Sequence, residues 1–357
     1  MPLSTSSSSR PTPDKVLSQY LLVGLLTGLL LVGIAENGIR IKGGRPDVRD
    51  TPELWSAQRQ RAAKLGTKAI TLVGASRMQL GINLDILNQL TGKEPVQLAI
   101  DGSPFLEILE DLANDPDIKG NILISATLGS LKPTRNNLRP MQWLRYYHTN
   151  FRGLWQPSVE QALMSRLQSV SALYANLLPL DWLLSMVFAD GRYNVNYLKT
   201  YPSRERDADF TLAKLPDLYI KRVLHNLGTR LPRKDFKNEK EFNETVIETA
   251  RSTRPHINTS PDQFQRLYDA LDKLKKRGVK VSIINFPNSR LVKAIEDIRY
   301  PKKLWDKVTG RLPATIVDYR DYPELQYALT DGSHLDKSQK SEFTRRLVSI
   351  LKRLGAL

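Results

Sequence analysis

Ser76, Asp331 and His334 are the residue types of an acyl-transfer centre. A serine hydroxyl attacks a carbonyl only when a base within hydrogen-bond reach takes its proton and a third group orients that base. The chain has four histidines, His148, His225, His256 and His334. Only His334 closely follows an aspartate in a loop at a strand end, in Asp331-Gly332-Ser333-His334. One short loop can therefore present carboxylate and imidazole together to a serine from elsewhere. Gly74-Ala75-Ser76-Arg77 supplies that serine directly after an apolar run, and Asp101-Gly102-Ser103 follows a second run. The backbone N–H groups of Ser76 and Gly102 make a candidate oxyanion hole, because glycine lets the backbone approach an acyl group with no side chain in the way. Each signal is common alone: Gly-X-Ser often ends a strand, and Asp-x-x-His often only opens a helix. Met78 also stands where a nucleophile elbow needs glycine. In combination and in this order they are far more specific.

These loops need a sheet to hold them. Lys68 to Gly74, Val96 to Ile100, Asn121 to Ala126, Val279 to Phe286 and Ala314 to Val317 are apolar runs of strand length. Between them the spacing predicts helices at Leu84 to Leu90, stopped by Gly92, and at Pro104 to Ala113. A helix from Ser260 to Gly278 carries Phe264, Leu267, Leu271 and Leu274 on one face. A last helix starts at Asp336, with Gln339 at capping-box spacing. Strands alternating with helices imply a five-stranded parallel sheet in a three-layer α/β/α domain. Ligands in such sheets sit at the carboxyl ends of the strands, where all three motifs fall.

The amino-terminal region has a different composition. Residues 1–15 are polar and rich in Ser and Pro, which reads as a disordered tail. Val16 to Ala35 carries no charge, and twenty helical residues span about 30 Å, the thickness of a bilayer core. The preferred reading is a transmembrane anchor. The rival is a cleavable signal peptide, since Gly33 and Ala35 precede Glu36 at signal-peptidase spacing. Residues 36–66 read as a hydrophilic stalk ending in a short helix. Arg40, Lys42, Arg45 and Arg49 outnumber Arg10 and Lys15, so the charge rule by itself places the main domain in the cytoplasm.

Residues 130–259 interrupt the strand pattern and read as a mostly helical insert. Pro157 to Leu178 has a helical stripe of Val159, Leu163, Leu167 and Val170. Leu177 to Phe188 is strongly apolar but too short to span a bilayer, which leaves a packed helical hairpin or a segment dipping into the membrane interface. Trp143, Tyr146, Tyr147, Phe151 and Trp155, interleaved with Arg145 and Arg152, could stack on sugar rings or bases, or simply pack as the core of the insert. Trp143, Tyr146, Tyr147 and Arg77 are the candidate substrate contacts. Arg230 to Lys240 reads as a solvated charged loop.

Composition bounds the partners. The net charge of +16 favours an anionic one: a phospholipid surface, an acidic polysaccharide or a nucleic acid. The chain has no cysteine, which removes disulfides, thiolate metal sites and a cysteine nucleophile. The histidines are isolated and no carboxylate cluster has ligand spacing, so neither a metal site nor a cofactor is expected.

On GASRM at 74–78, IDGSP at 100–104 and DGSHL at 331–335, the sequence resembles the SGNH (GDSL-like) hydrolase superfamily. The resemblance covers residues 67–129 and 260–357. The anchored layout is further similar to the branch found beside polysaccharide O-acetylation machinery, including the alginate acetylation proteins. It implies a flavodoxin-like sandwich with Ser76 as nucleophile, Gly102 in the oxyanion hole, and Asp331 and His334 completing a triad. It also implies an extracytoplasmic domain, against the charge rule, and a membrane-bound acyl-donor protein as a partner. One departure stands out. The family's third block supplies an asparagine as an oxyanion donor, and Ser125-Ala126-Thr127-Leu128-Gly129-Ser130 has none. Asn136 and Asn137 are substitute candidates.

Three function classes follow. The leading expectation is a membrane-anchored serine esterase or O-acyltransferase acting on an extracytoplasmic polysaccharide or cell-envelope glycan. The second is a weak or inactive binding or scaffold subunit of the same fold. Nucleic-acid binding rests on charge alone, since the basic residues are scattered and no recognised motif accompanies them.

Overall fold

The computed structural model describes residues 13–131, 138–175, 196–231 and 236–357. The described residues within 1–47 and 167–195 form one compact unit. Those within 48–166 and 196–357 form a second, larger one.

The first unit contains α1 (Pro13–Ile41). From Val16 to Ile41 this helix is long and apolar enough to cross a membrane, and its most apolar stretch is not buried. Its carboxyl end carries a polar clamp. Glu36 accepts the backbone N–H groups of Ala172 and Leu173, both at 2.8 Å, and the Ser171 hydroxyl at 2.9 Å. Arg40 donates to the Val170 carbonyl at 2.8 Å.

The second unit opens with α2 (Pro52–Leu65), capped by Thr51, whose side chain accepts the Leu54 N–H. Leu54, Trp55 and Arg59 are buried on α2. Residues 52–65 are therefore part of the core rather than a stalk. Next come β1 (Ala69–Val73), α3 (Ser76–Gly81), α4 (Leu84–Thr91), β2 (Glu94–Gln97), α5 (Leu106–Asn114) and β3 (Asn121–Ser125). The insert holds α6 (Leu138–Tyr146) and α7 (Gln156–Val170), which runs on into the first unit, where α8 (Ala172–Ala175) lies. An antiparallel hairpin of β4 (Leu198–Thr200) and β5 (Arg206–Ala208) follows, then α9 (Leu215–Leu227) and α10 (Glu239–Ser252). The fold resumes with α11 (Gln265–Lys276), β6 (Val281–Asn285), α12 (Arg290–Arg299), α13 (Lys302–Thr309), β7 (Thr315–Asp318) and α14 (Lys337–Arg353).

The main sheet has five parallel strands in the order β2-β1-β3-β6-β7. Neighbouring residues of a strand face opposite sides, and both sides are covered. Val73, Ile122, Ile124 and Ile283 pack with Trp55, Leu109, Leu271 and Trp305 of α2, α5, α11 and α13. Ile70, Leu72, Leu123 and Ile284 pack with Met78, Leu87, Phe343 and Leu347 of α3, α4 and α14. Each such side chain contributes about 1.5–3 kcal/mol of burial, so the sheet is a stiff platform for the loops at its carboxyl edge.

The insert is fastened to this platform by buried charge. Arg204 is fully buried and donates to both Asp50 carboxylate oxygens at 2.6 and 2.9 Å, to the Gln97 carbonyl at 2.8 Å and to the Ala99 carbonyl at 2.9 Å. Buried Lys340 of α14 donates to the Arg206 carbonyl and to Asp207, both at 2.9 Å. Val223 and Leu227 of α9 and Val246 and Ala250 of α10 pack on Val292 and Ile295 of α12. The insert is thus helical with one added hairpin. The apolar stretch 177–188, the tail at 1–12 and part of the charged loop at 230–240 lie outside the described residues.

Candidate active site

Ser76 is the first residue of α3, separated from the end of β1 by Gly74 and Ala75. The turn between them demands a glycine. Gly74 has φ +141, and a Cβ there would stand 2.9 Å from both Cβ and the carbonyl oxygen of Ser125. Close passage of β1 against β3 thereby fixes where the serine emerges.

His334 and Asp331 arrive from the loop between β7 and α14. Leu329 accepts the Gly332 N–H, and Gly332 in turn accepts the Ser289 N–H at 2.9 Å. Gly332, at φ +85, passes so close to α12 that a Cβ would meet Val292 Cγ2 at 2.7 Å. Asp336 then starts α14 with the expected capping box.

The structure brings the three predicted residues together. His334 Nε2 lies 2.8 Å from Ser76 Oγ, across 258 residues of sequence. His334 Nδ1 lies 2.7 Å from Asp331 Oδ2. Asp331 Oδ1 accepts the backbone N–H groups of Ser333 and His334 at 2.9 and 2.8 Å, which aims Oδ2 at the imidazole. An ionised carboxylate can only accept, so the ring proton belongs on Nδ1 and Nε2 is left to accept from the serine. Ser333 Oγ adds a contact to Nδ1 at 3.1 Å.

The electrostatics agree with these roles. Burial raises the Asp331 carboxyl, but the hydrogen bonds from His334 and the Ser333 N–H, with the charge of Arg222, outweigh it and hold Asp331 well below the usual carboxylate range. Burial lowers His334 below the ordinary imidazole value, opposed by Asp331 and reinforced by the cations Arg222 and Arg77. A neutral imidazole against an ionised aspartate is the resting state a general base requires.

Around the serine is a cavity of about 350 Å³. Ser76, Arg77, Gly102, Ser103, Phe105, Ser125, Thr127 and Ser130 line one part of it, with Ser333 and His334 beside them. Ser76 opens its helix, so its N–H has no intrahelical acceptor. Gly102, at φ +62, lies on the same wall. The segment from Ser125 to Ser130 reaches the cavity, with the Thr127 N–H donated to Ser130 Oγ at 2.9 Å. Asn136 and Asn137 lie outside the described residues.

Sequence reasoning missed the wall made by α9. Arg222, His225 and Asn226 fall at helical spacing on one face and line the cavity. Arg222 Nε donates to Asp331 Oδ2 at 3.1 Å. Asn226 Nδ2 donates to the Arg222 carbonyl at 2.8 Å. A polar triplet at i, i+3 and i+4, on a helix that also carries Asp217 and Lys221, was the only signal available. Arg77 also lines the cavity, with its Nη1 4.0 Å from Glu296, whose carboxyl burial pushes up.

The aromatic candidates are elsewhere. Trp143 and Tyr147 are buried, with ring centroids 6.3 Å from that of Trp55, and Tyr146 packs against the same cluster. They form the core between α2 and α6, and none of the three lines the cavity. The expectation that they contact substrate gives way to core packing, the other reading of the same residues. Among the described residues, Asp306, Asp318 and Asp321 place carboxylate oxygens within 4.8 Å of one another. Lys302 already pairs with Asp306 and Asp321 at 2.8 and 3.0 Å.

Compared with known proteins, the sequence matches no family model and no curated protein.

Proposed function

We propose that this protein is a serine esterase or O-acyltransferase of the SGNH type, held at a membrane by α1, with its main domain on the extracytoplasmic side. The observation that carries the reading is the unbroken chain from Ser76 Oγ through His334 to Asp331, with links of 2.8 and 2.7 Å at the mouth of a cavity. In this mechanism His334 Nε2 takes the hydroxyl proton as Ser76 attacks an ester carbonyl. The N–H groups of Ser76 and Gly102 receive the developing oxyanion. His334 then returns the proton to the departing alcohol, leaving an acyl-serine. Water or a sugar hydroxyl, deprotonated by the same imidazole, releases the acyl group. The sequence resemblance to polysaccharide O-acetylation proteins supports a glycan as the substrate and a membrane-bound protein as the acyl donor.

A second reading rests on one observation. The third-block segment supplies no asparagine, and loss of one oxyanion donor costs about 2.7–4 kcal/mol of transition-state stabilisation. A site so weakened would serve as a binding or scaffold subunit.

Hydrolysis of p-nitrophenyl acetate and labelling by a fluorophosphonate, measured on wild type beside Ser76→Ala, separates the two. Turnover and labelling that both vanish in the variant support the enzyme. A folded wild type that does neither sinks it in favour of the scaffold. A reporter fused after Leu357, active only in the cytoplasm or only outside it, tests the topology.

A further inference from the structure

The first half of α9 borders a second cavity, of about 730 Å³. That is within the ~300–1,000 Å³ typical of small-molecule sites. Leu215, Tyr219 and Ile220 of α9, Phe242 of α10 and Leu329 of the loop before α14 make its wall mostly apolar. Leu215 and Ile220 are 39% and 41% exposed, so this lining is open to solvent rather than closed over as core.

Charge is sparse there. Among the described residues the lining has one basic side chain, Arg290, and one acidic one, Glu239. The Arg290 guanidinium stacks on the Tyr219 ring, 3.8 Å from its centroid. Its Nη1 makes only a long contact, 3.5 Å, with the Thr330 carbonyl. It pairs with no carboxylate among the described residues, Glu239 included.

The backbone adds a second sign. Arg290, the first residue of α12, has φ +54. Glycine takes that conformation freely, so an arginine is kept here at a cost to the backbone. The turn is braced on both sides: Tyr219 Oη accepts the Leu291 N–H at 3.2 Å, and Ser289 Oγ accepts the Leu329 N–H at 3.0 Å. A fixed cation with donors to spare thus stands at the edge of an apolar cavity.

We propose that this cavity binds a single-chain amphiphile with an anionic head group, its chain among Leu215, Ile220 and Phe242 and its head on Arg290. The planar guanidinium fork matches a carboxylate through two parallel hydrogen bonds. Stacking on Tyr219 already restrains that fork, so little freedom is lost on binding. The occupant rests on Leu329 and Thr330, immediately before Asp331, and so bears on the loop that also carries His334. The site is independent of the esterase reading.

Full-length protein in phospholipid nanodiscs would be irradiated with dodecanoate carrying a terminal diazirine, and the labelled peptides identified by mass spectrometry. The expected labels fall within residues 215–220 and 236–243. Excess dodecanoate should remove them, and dodecyltrimethylammonium at the same concentration should not. Arg290→Gly suits the backbone, so its circular dichroism should match wild type while labelling falls about tenfold or more, the loss of a charge-assisted contact. Ile220→Trp fills the cavity and should abolish the same labels. The proposal is overturned if these segments stay unlabelled, if labels scatter over the surface or gather on α1, or if the cationic amphiphile competes equally. Undiminished labelling of either variant overturns it as well.

Discussion

Arg222 donates to the same Asp331 oxygen, Oδ2, that His334 Nδ1 approaches, at 3.1 Å against 2.7 Å. The insert therefore reaches Asp331, the partner of His334, and not only the rim of the cavity. Its guanidinium helps to keep Asp331 ionised and, through its charge, helps to keep His334 unprotonated.

The pH dependence of turnover follows from that arrangement. In the proposed mechanism neutral His334 is the base, and burial, with Arg222 and Arg77, lowers it. Activity should be present above its lowered pKa and lost as pH falls through it, so the acid limb of kcat/KM should lie below the ordinary imidazole value of about 6.5. Arg222→Gln removes one lowering charge and should move that limb to higher pH. A limb that stays in place or moves down contradicts the role assigned to Arg222.

Asp331→Asn should leave the fold intact and reverse the tautomer preference of His334. The amide can donate to Nδ1, which puts the ring proton on Nε2 facing Ser76. The expected loss in kcat is on the order of 10⁴-fold, read in the ester assay beside a circular dichroism spectrum unchanged from wild type. A loss of only a few fold would remove Asp331 from the triad.

Two glycines of similar backbone angle make a controlled comparison. Gly278 has φ +78 and nothing within 4 Å of an added Cβ, whereas Gly332 has φ +85 and Val292 Cγ2 at 2.7 Å. Gly278→Ala should cost about 1–2 kcal/mol from the left-handed backbone alone. Gly332→Ala should cost more and also lower turnover, because the clash displaces the loop carrying Asp331 and His334. Urea denaturation and the ester assay read the two effects. Equal costs would show that α12 gives way freely.

Arg204 should be among the most sensitive positions outside the cavity. Arg204→Ala strips Asp50 of its guanidinium, leaving it Gln79 Nε2 at 3.2 Å, and takes one donor each from the Gln97 and Ala99 carbonyls. The expected destabilisation is about 3–5 kcal/mol by urea denaturation. A loss under about 1 kcal/mol would mean that water replaces the guanidinium.

Much of this arrangement is legible in the sequence because parallel strands are apolar on both faces. The five expected runs all overlap observed strands, and Ser76, Asp331 and His334 sit in loops at the carboxyl edge of the sheet. The errors have local causes. β2 begins at Glu94, before the expected Val96, because Glu94 pairs with Ala69; the proline at 95 hid the start. Ser260 opens a short 3-10 turn over Pro261–Phe264 in place of the α-helix itself, and its side chain makes no capping bond. α2 reads as a stalk in the sequence because its charged residues, including fully buried Arg59, mask a core-facing Leu54 and Trp55. Arg59 is paired with Asp111 and Asp115 at 2.7 and 2.8 Å, partners that no local pattern announces. The same blindness hid Arg222, whose meaning depends on an aspartate 109 residues away.

The pairing of β3 with β6 joins Ile122 to Val281 across the whole insert. Doubling a flexible loop adds only about 0.6 kcal/mol to its closure, so the sheet itself tolerates long excursions at that point. What cannot vary freely is the helix that returns Arg222 to Asp331. A lineage could lengthen, shorten or restyle this excursion to suit new acceptors, yet each revision would also retune the acid–base pair. In this chain, taste and temper are inherited together.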